Sequence, residues 1–238
     1  MTDQLYLTDQ TLRTFDATVT DVDASGRVAL DRTAFYATGG GQPNDLGTLE
    51  WAARGVVAVV DVTKDGATIW HTLEGNEPPS PGTSVSGVID WDRRHQLMRT
   101  HTAMHILCGV IWNTYRVPVT GGNMEPLKGR MDFEFDPLPE GFAHEVEALV
   151  NAEIAAARPI DVTFLPRDAA LEDADLIRTK VNLIPSSVAE IRVVDIVGLD
   201  KQADGGTHVP TTAEVGHFTV TKTESKGKGN KRIRFELN

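Results

Sequence analysis

A single cysteine, Cys108, in 238 residues excludes an internal disulfide framework and fits a reducing compartment. Long apolar runs are missing as well. No stretch approaches the roughly 20 residues that span a bilayer, so no membrane partner is expected. Residues Met1–Leu5 show no basic region leading into an apolar run, and no signal peptide is expected. Together these absences predict a soluble cytoplasmic protein. Cations are outnumbered: 23 Lys and Arg against 34 Asp and Glu give a formal net charge of −11, which speaks against indiscriminate nucleic-acid binding. The shortage is uneven. From Lys222 onward six basic residues (Lys222, Lys226, Lys228, Lys231, Arg232, Arg234) face two acidic ones, leaving 17 basic and 32 acidic residues in the rest of the chain. Such a ribbon suits either a phosphate contact or a solubilising hairpin tip.

Proline is absent between His95 and Trp112, one glycine interrupts the stretch, and Leu97, Met98, Ile106, Leu107 and Ile111 supply apolar packing. This predicts a helix. On it, His101 and His105 are four apart, which places both imidazoles on one face, one turn apart. Two imidazoles so spaced can grip one side of a zinc ion. A helical zinc protease would carry Glu directly after the first His; Thr102 stands there instead, which argues against a protease. About a hundred residues downstream, Asp204-Gly205-Gly206-Thr207-His208 offers a carboxylate, two glycines that permit a tight turn, and another imidazole. His101, His105, Asp204 and His208 thus form a candidate metal set. The plainer alternative is a glycine turn capped by Asp204, with His208 on a strand surface. Cys108 shares the face of His105 but suits the core better.

The first ninety residues read as short strands with turn punctuation: Phe15–Val22, Arg27–Asp31, Gly55–Val62, Ala67–Leu73 and Ser84–Ile89. This predicts a small β-barrel over residues 1–90. Inside it, Gly39-Gly40-Gly41-Gln42 makes either a flexible turn or a place where backbone approaches a ligand. Gln42 brings a donor and an acceptor. A boundary is expected near Asp90, followed by Arg93 and Arg94, which suit either phosphates or a solvated helix start. In residues 91–238, Gly121–Arg130 reads as a turn, Arg130–Phe135 as a strand, Glu140–Arg158 as an amphipathic helix, and Asp168–Arg178 as a short helix. Ile160–Leu165, Ile191–Val197, Val215–Thr223 and Lys231–Leu237 read as strands, the last two as a hairpin. The fold class expected is α+β.

At this point the residues carry a resemblance. His101-Thr102-Ala103-Met104-His105-Ile106-Leu107, Gly205-Gly206-Thr207-His208 and Gly39-Gly40-Gly41-Gln42 resemble the editing domain of alanyl-tRNA synthetase. More closely, nearly the whole chain resembles the free-standing AlaX alanyl-tRNA editing proteins of the medium-length class. The resemblance implies an N-terminal barrel followed by a two-layer α/β editing domain with an antiparallel sheet. It implies a Zn2+ cofactor on His101, His105 and His208, with Asp204 at the place where the family commonly has Cys. It also implies hydrolysis of tRNA(Ala) mischarged with serine or glycine. Gln42 and Thr38 are then candidates for the pocket that meets the serine hydroxyl, and Arg93, Arg94, Lys228, Lys231 and Arg232 for tRNA contact. Two other classes stay open: a metal-bearing tRNA-binding module without catalysis, and a zinc hydrolase of small esters or amides.

Overall fold

The computed structural model describes residues 1–52, 54–75, 77–172, 176, 189–227 and 229–238. They fall into two compact units, Met1–Gln96 and Leu97–Asn238. The class is α+β: a closed antiparallel barrel, further sheets and few helices.

The first unit is the barrel. Its strands, β2 (Thr14–Val22), β3 (Val28–Leu30), β5 (Gly47–Trp51), β6 (Gly55–Asp65), β7 (Thr68–Leu73) and β8 (Ser84–Ile89), close in the order β2-β3-β7-β6-β5-β8. Two short strands, β1 (Asp3–Gln4) and β4 (Arg32–Thr33), pair in parallel. Alternation places Phe15, Ala17 and Val19 of β2 and Val85 and Ile89 of β8 inside, with Leu30, Leu49 and Ile69. A bulge after Val59 resets the pleat, so that Val59 and Val62, three apart, both point inward. Each such side chain withdrawn from water contributes about 1.5–3 kcal/mol. Strand β5 lies outside the sequence expectation, since Leu49 and Trp51 offer too short an alternation to stand out.

Two buried polar clusters fix the barrel. Arg94 is fully buried; its Nε donates to Asp45 Oδ1 at 2.8 Å, its Nη2 pairs with Asp45 Oδ2, and its remaining N–H groups reach the carbonyls of Ala34 and Gln10. Asp45 also accepts the Tyr36 N–H at 2.6 Å. His71 is equally buried. Its Nδ1–H donates to the Val28 carbonyl at 3.0 Å, so its Nε2 accepts the Thr33 hydroxyl at 2.9 Å. Burial holds the His71 cation down to about 4 from 6.5, against the pull of the Val28 carbonyl. The unfolded chain therefore binds this proton first as pH falls. Stability is complete above pH 6.5 and falls between 6.5 and 4 by about 3 kcal/mol from this residue. Denaturant midpoints at pH 7 and 4.5 check this: the wild type should lose more stability than His71→Gln, and equal losses would contradict it.

The second unit begins within α1 (Trp91–Tyr115), whose start is capped by Asp90 Oδ1 accepting the Arg93 N–H at 3.1 Å. From Thr100 to Ile111 every residue of α1 is buried, including Thr100, His101, Thr102 and His105. The strands β9 (Val119–Glu125), β10 (Lys128–Phe133), β14 (Phe218–Ser225) and β15 (Lys231–Leu237) form a sheet in the order β14-β15-β10-β9. A second sheet, β11-β12-β13, joins Ile160–Pro166, Glu190–Ile196 and Asp200–Ala203 in antiparallel register. Helix α2 (Phe142–Ala155) buries Phe142, Val146, Val150 and Ile154, a stripe at four-residue spacing, and packs against β14. Helix α3 covers Arg167–Glu172; the rest of the helix expected to Arg178 lies outside the described residues, apart from buried Leu176. One expectation is corrected. Gly121 and Gly122 belong to strand β9 and not to a turn: a Cβ on Gly122 would stand 2.7 Å from the Met104 Cε, so glycine here admits a neighbouring side chain.

Candidate metal centre

The chain reverses between β12 and β13 and then runs through Asp204 to His208. Arg192, on β12 and buried, holds that loop: its Nη1 donates to the carbonyls of Asp204 and Gly206 at 3.0 and 2.9 Å. The Gly206 N–H donates to Asp204 Oδ2 at 2.7 Å, which orients the carboxylate. His101 and His105 come from α1, one turn apart. One donor atom from each of His101, His105, Asp204 and His208 lies within 4.8 Å of every other. The sequence-derived quartet is therefore brought together in one unit.

Two of the donor separations are close to those around a small tetrahedral ion. His208 Nε2 lies 3.0 Å and His101 Nε2 3.6 Å from the Asp204 carboxylate oxygens. Ligand bonds of about 2.0–2.2 Å in a tetrahedron separate neighbouring donors by about 3.4 Å. The second nitrogens are accounted for as well. His208 Nδ1 faces the Thr102 hydroxyl at 3.2 Å, and His105 Nδ1 faces Asp200 Oδ2 at 3.2 Å. In both imidazoles Nε2 is the nitrogen left for a ligand role. Thr102, standing where a protease would have its base, also accepts the Val209 N–H at 3.3 Å.

The electrostatics favour a cation. Burial presses the His208 cation down to about 4, and presses His101 well below 6.5 with help from its neighbouring imidazoles. At His105 burial acts the same way, but the Asp200 and Asp204 carboxylates outweigh it and raise the value. Burial would raise Asp204, yet the three imidazoles hold it well below its usual range. The shifts at His101, His208 and Asp204 favour the unprotonated imidazoles and ionised carboxylate that bind metal, whereas His105 favours its cation until an ion displaces the proton.

The other expected site residues lie on other elements of the chain. Gln42 and Thr38 are on the barrel loop. There Gly39 and Gln42 exchange backbone hydrogen bonds of 3.1 and 2.9 Å around Gly40 and Gly41, whose φ values of 57° and 88° suit glycine. Gln42 is buried, whereas Thr38 is exposed and bonds Asn44. Arg93 is half-buried and donates to the Asn44 carbonyl at 3.2 Å. Arg94 is corrected as a tRNA contact: its guanidinium is wholly enclosed with Asp45 and cannot meet a phosphate. Arg232 forms a two-pronged pair with Asp132, both bonds 2.7 Å, and Lys231 reaches the Ser225 hydroxyl at 3.2 Å. Lys228 lies outside the described residues. Cys108 is buried in the core. Arg234 and Lys222 of the basic ribbon lie in one cross-strand row with Arg130, which sequence reading did not join to it: Arg130 is opposite Arg234 on β10 and β15, with Lys222 next across on β14. Three cations in one cross-strand row repel each other unless anions meet them; Glu224 offsets Lys222 and Arg234, and Asp132 lies 3.7 Å from Arg130.

Residues 191–234 match the family described as the threonyl and alanyl tRNA synthetase second additional domain. Residues 7–93 match the class II (A) tRNA synthetases. Alanyl-tRNA editing protein AlaX-M of Saccharolobus solfataricus is 35% identical over 241 residues, covering 100% of this chain and 99% of the relative. Its namesake in Methanosarcina acetivorans is 36% identical over 243 residues, with the same coverage. The alanine–tRNA ligase of Pyrobaculum arsenaticum is 38% identical over 242 residues, 98% of this chain but 27% of the ligase. A barrel joined to a unit carrying three imidazoles and a carboxylate, in a chain related end to end to such proteins, belongs to the AlaX family of alanyl-tRNA editing proteins. Among the described residues no helix is long and apolar enough to cross a membrane.

Proposed function

We propose that this protein is a trans-acting editing hydrolase that removes serine or glycine from mischarged tRNA(Ala). The observation that carries the reading is the convergence of His101, His105, Asp204 and His208 in a chain whose full-length relatives are named alanyl-tRNA editing proteins. Under this reading residues 91–238 are a two-layer editing domain and residues 1–90 its barrel partner. His101, His105, His208 and Asp204 hold Zn2+. Such an ion supplies Lewis acidity and a positive anchor for the aminoacyl ester. No serine or cysteine nucleophile is assigned, and Cys108 is in the core. Water therefore attacks the ester carbonyl carbon, the acyl C–O bond to the terminal ribose breaks, and the ribose oxygen takes up a proton.

Gln42 and Thr38 are assigned to the serine hydroxyl. A site built to bond a hydroxyl leaves its polar groups unpaired against a methyl, which separates serine from alanine. Arg93, Lys231 and Arg232 are assigned to the tRNA backbone, with Arg130, Arg234 and Lys222 as the row beside Lys231 and Arg232. Lys228 stays in that group on its charge. Deacylation of serine- and alanine-charged tRNA(Ala) by Gln42→Ala tests the pocket. The expected result is a serine rate at least about 10-fold lower, the scale of one lost polar contact. Unchanged rates on both substrates would remove Gln42 from the site.

A further inference from the structure

Among the described residues, two buried side-chain polar atoms lack a hydrogen bond: His105 Nδ1 and Asp200 Oδ1. They belong to residues that face each other. Asp200 opens β13 with its side chain fully buried, and its Oδ2 lies 3.2 Å from His105 Nδ1. Oδ2 also accepts the Gln202 Nε2–H at 2.6 Å. A buried carboxylate so sparsely bonded is costly unless positive charge lies beside it.

The helix is built to let Asp200 come this close. Gly109, one turn beyond His105, is the only glycine of α1. A Cβ there would meet the Asp200 Cβ and Leu199 Cγ at 3.0 Å and the Leu199 carbonyl at 3.1 Å. Glycine in a helix interior is unfavourable by itself; at this place it lets the β12–β13 turn lie directly on α1.

We propose that Asp200 is a positioning residue for the metal centre: its carboxylate takes the His105 Nδ1–H, fixes the tautomer that leaves Nε2 as ligand, and strengthens the cluster's hold on a divalent cation. This rests on the metal reading of the quartet. It does not make Asp200 a ligand, because Asp200 meets His105 through the nitrogen that the ion does not use.

The test is the zinc affinity of the full chain, measured by competition with a chromophoric chelator. Asp200→Asn keeps the size of the side chain and removes its charge. Its zinc dissociation constant should rise about 10–100-fold, while the metal-free protein melts at the wild-type temperature or above. In the zinc-loaded wild type the His105 Nδ1–H should give a slowly exchanging, downfield proton resonance, shifted or lost in Asp200→Asn. Gly109→Ala, which leaves every polar group in place but presses on Asp200, should also weaken zinc binding. It keeps the proposal testable if Asp200→Asn fails to fold. Zinc affinity within twofold of wild type in a folded Asp200→Asn would overturn the proposal alone. Failure of the wild type to bind zinc would overturn the metal reading and this inference with it.

Discussion

His105→Ala is expected to weaken zinc binding by more than about 100-fold, since losing a ligand exceeds the 10–100-fold effect of losing an outer partner. His105 supplies one of four donors within 4.8 Å of one another, and alanine leaves the Asp200 carboxylate without its imidazole. Zinc added to the wild type should raise its melting temperature, because a ligand that binds only the folded state stabilises it. That rise should vanish in the variant. His95→Ala is the control, since His95 stacks on Trp91 at 5.9 Å in the barrel unit and belongs to no donor cluster among the described residues. A zinc-dependent shift in His105→Ala equal to that of the wild type would contradict the assignment of the ligands.

Arg94→Met should destabilise the barrel by about 3–5 kcal/mol, the cost of removing one partner from a buried ion pair. Methionine roughly fills the space but leaves Asp45 buried, still accepting the Tyr36 N–H, with no cation. The Ala34 and Gln10 carbonyls lose their donors too. The double variant Arg94→Met with Asp45→Leu should recover a large part of the loss, because the isolated charge is then gone. Denaturant unfolding of the three proteins decides it. A loss below about 1 kcal/mol in the single variant would place the pair among surface bridges of little worth.

Much of the candidate site, the cluster of three imidazoles and a carboxylate, is legible because its signal is local. His101 and His105 share a helix face by spacing alone, and Asp204 and His208 sit four residues apart on a glycine loop. Their convergence needed only that β12 deliver the second cluster to the first. The supporting residues are another matter. Asp200, Arg192 and Thr102 act through contacts that span from 12 to 106 residues, and nothing in their immediate sequence marks them.

Arg94 misled for the same reason in reverse. A charge in the first turn of a helix usually faces water, and only the fold shows Asp45 waiting 49 residues upstream. The barrel strands are readable where alternation is long, as in β2 and β8, or where a turn signal marks the partner, as Ala24-Ser25-Gly26 does for β3. Strand β5 has five residues and was passed over. Gly121-Gly122 looked like a turn because sequence cannot show that Met104 lies against the strand.

The most direct test is release of the amino acid from serine-charged and alanine-charged tRNA(Ala) by the purified protein, with and without a chelator. Serine should be released and alanine retained, and the activity should disappear with the chelator and return with zinc. No release from either tRNA despite measurable binding, or release of serine indifferent to the chelator, would contradict it.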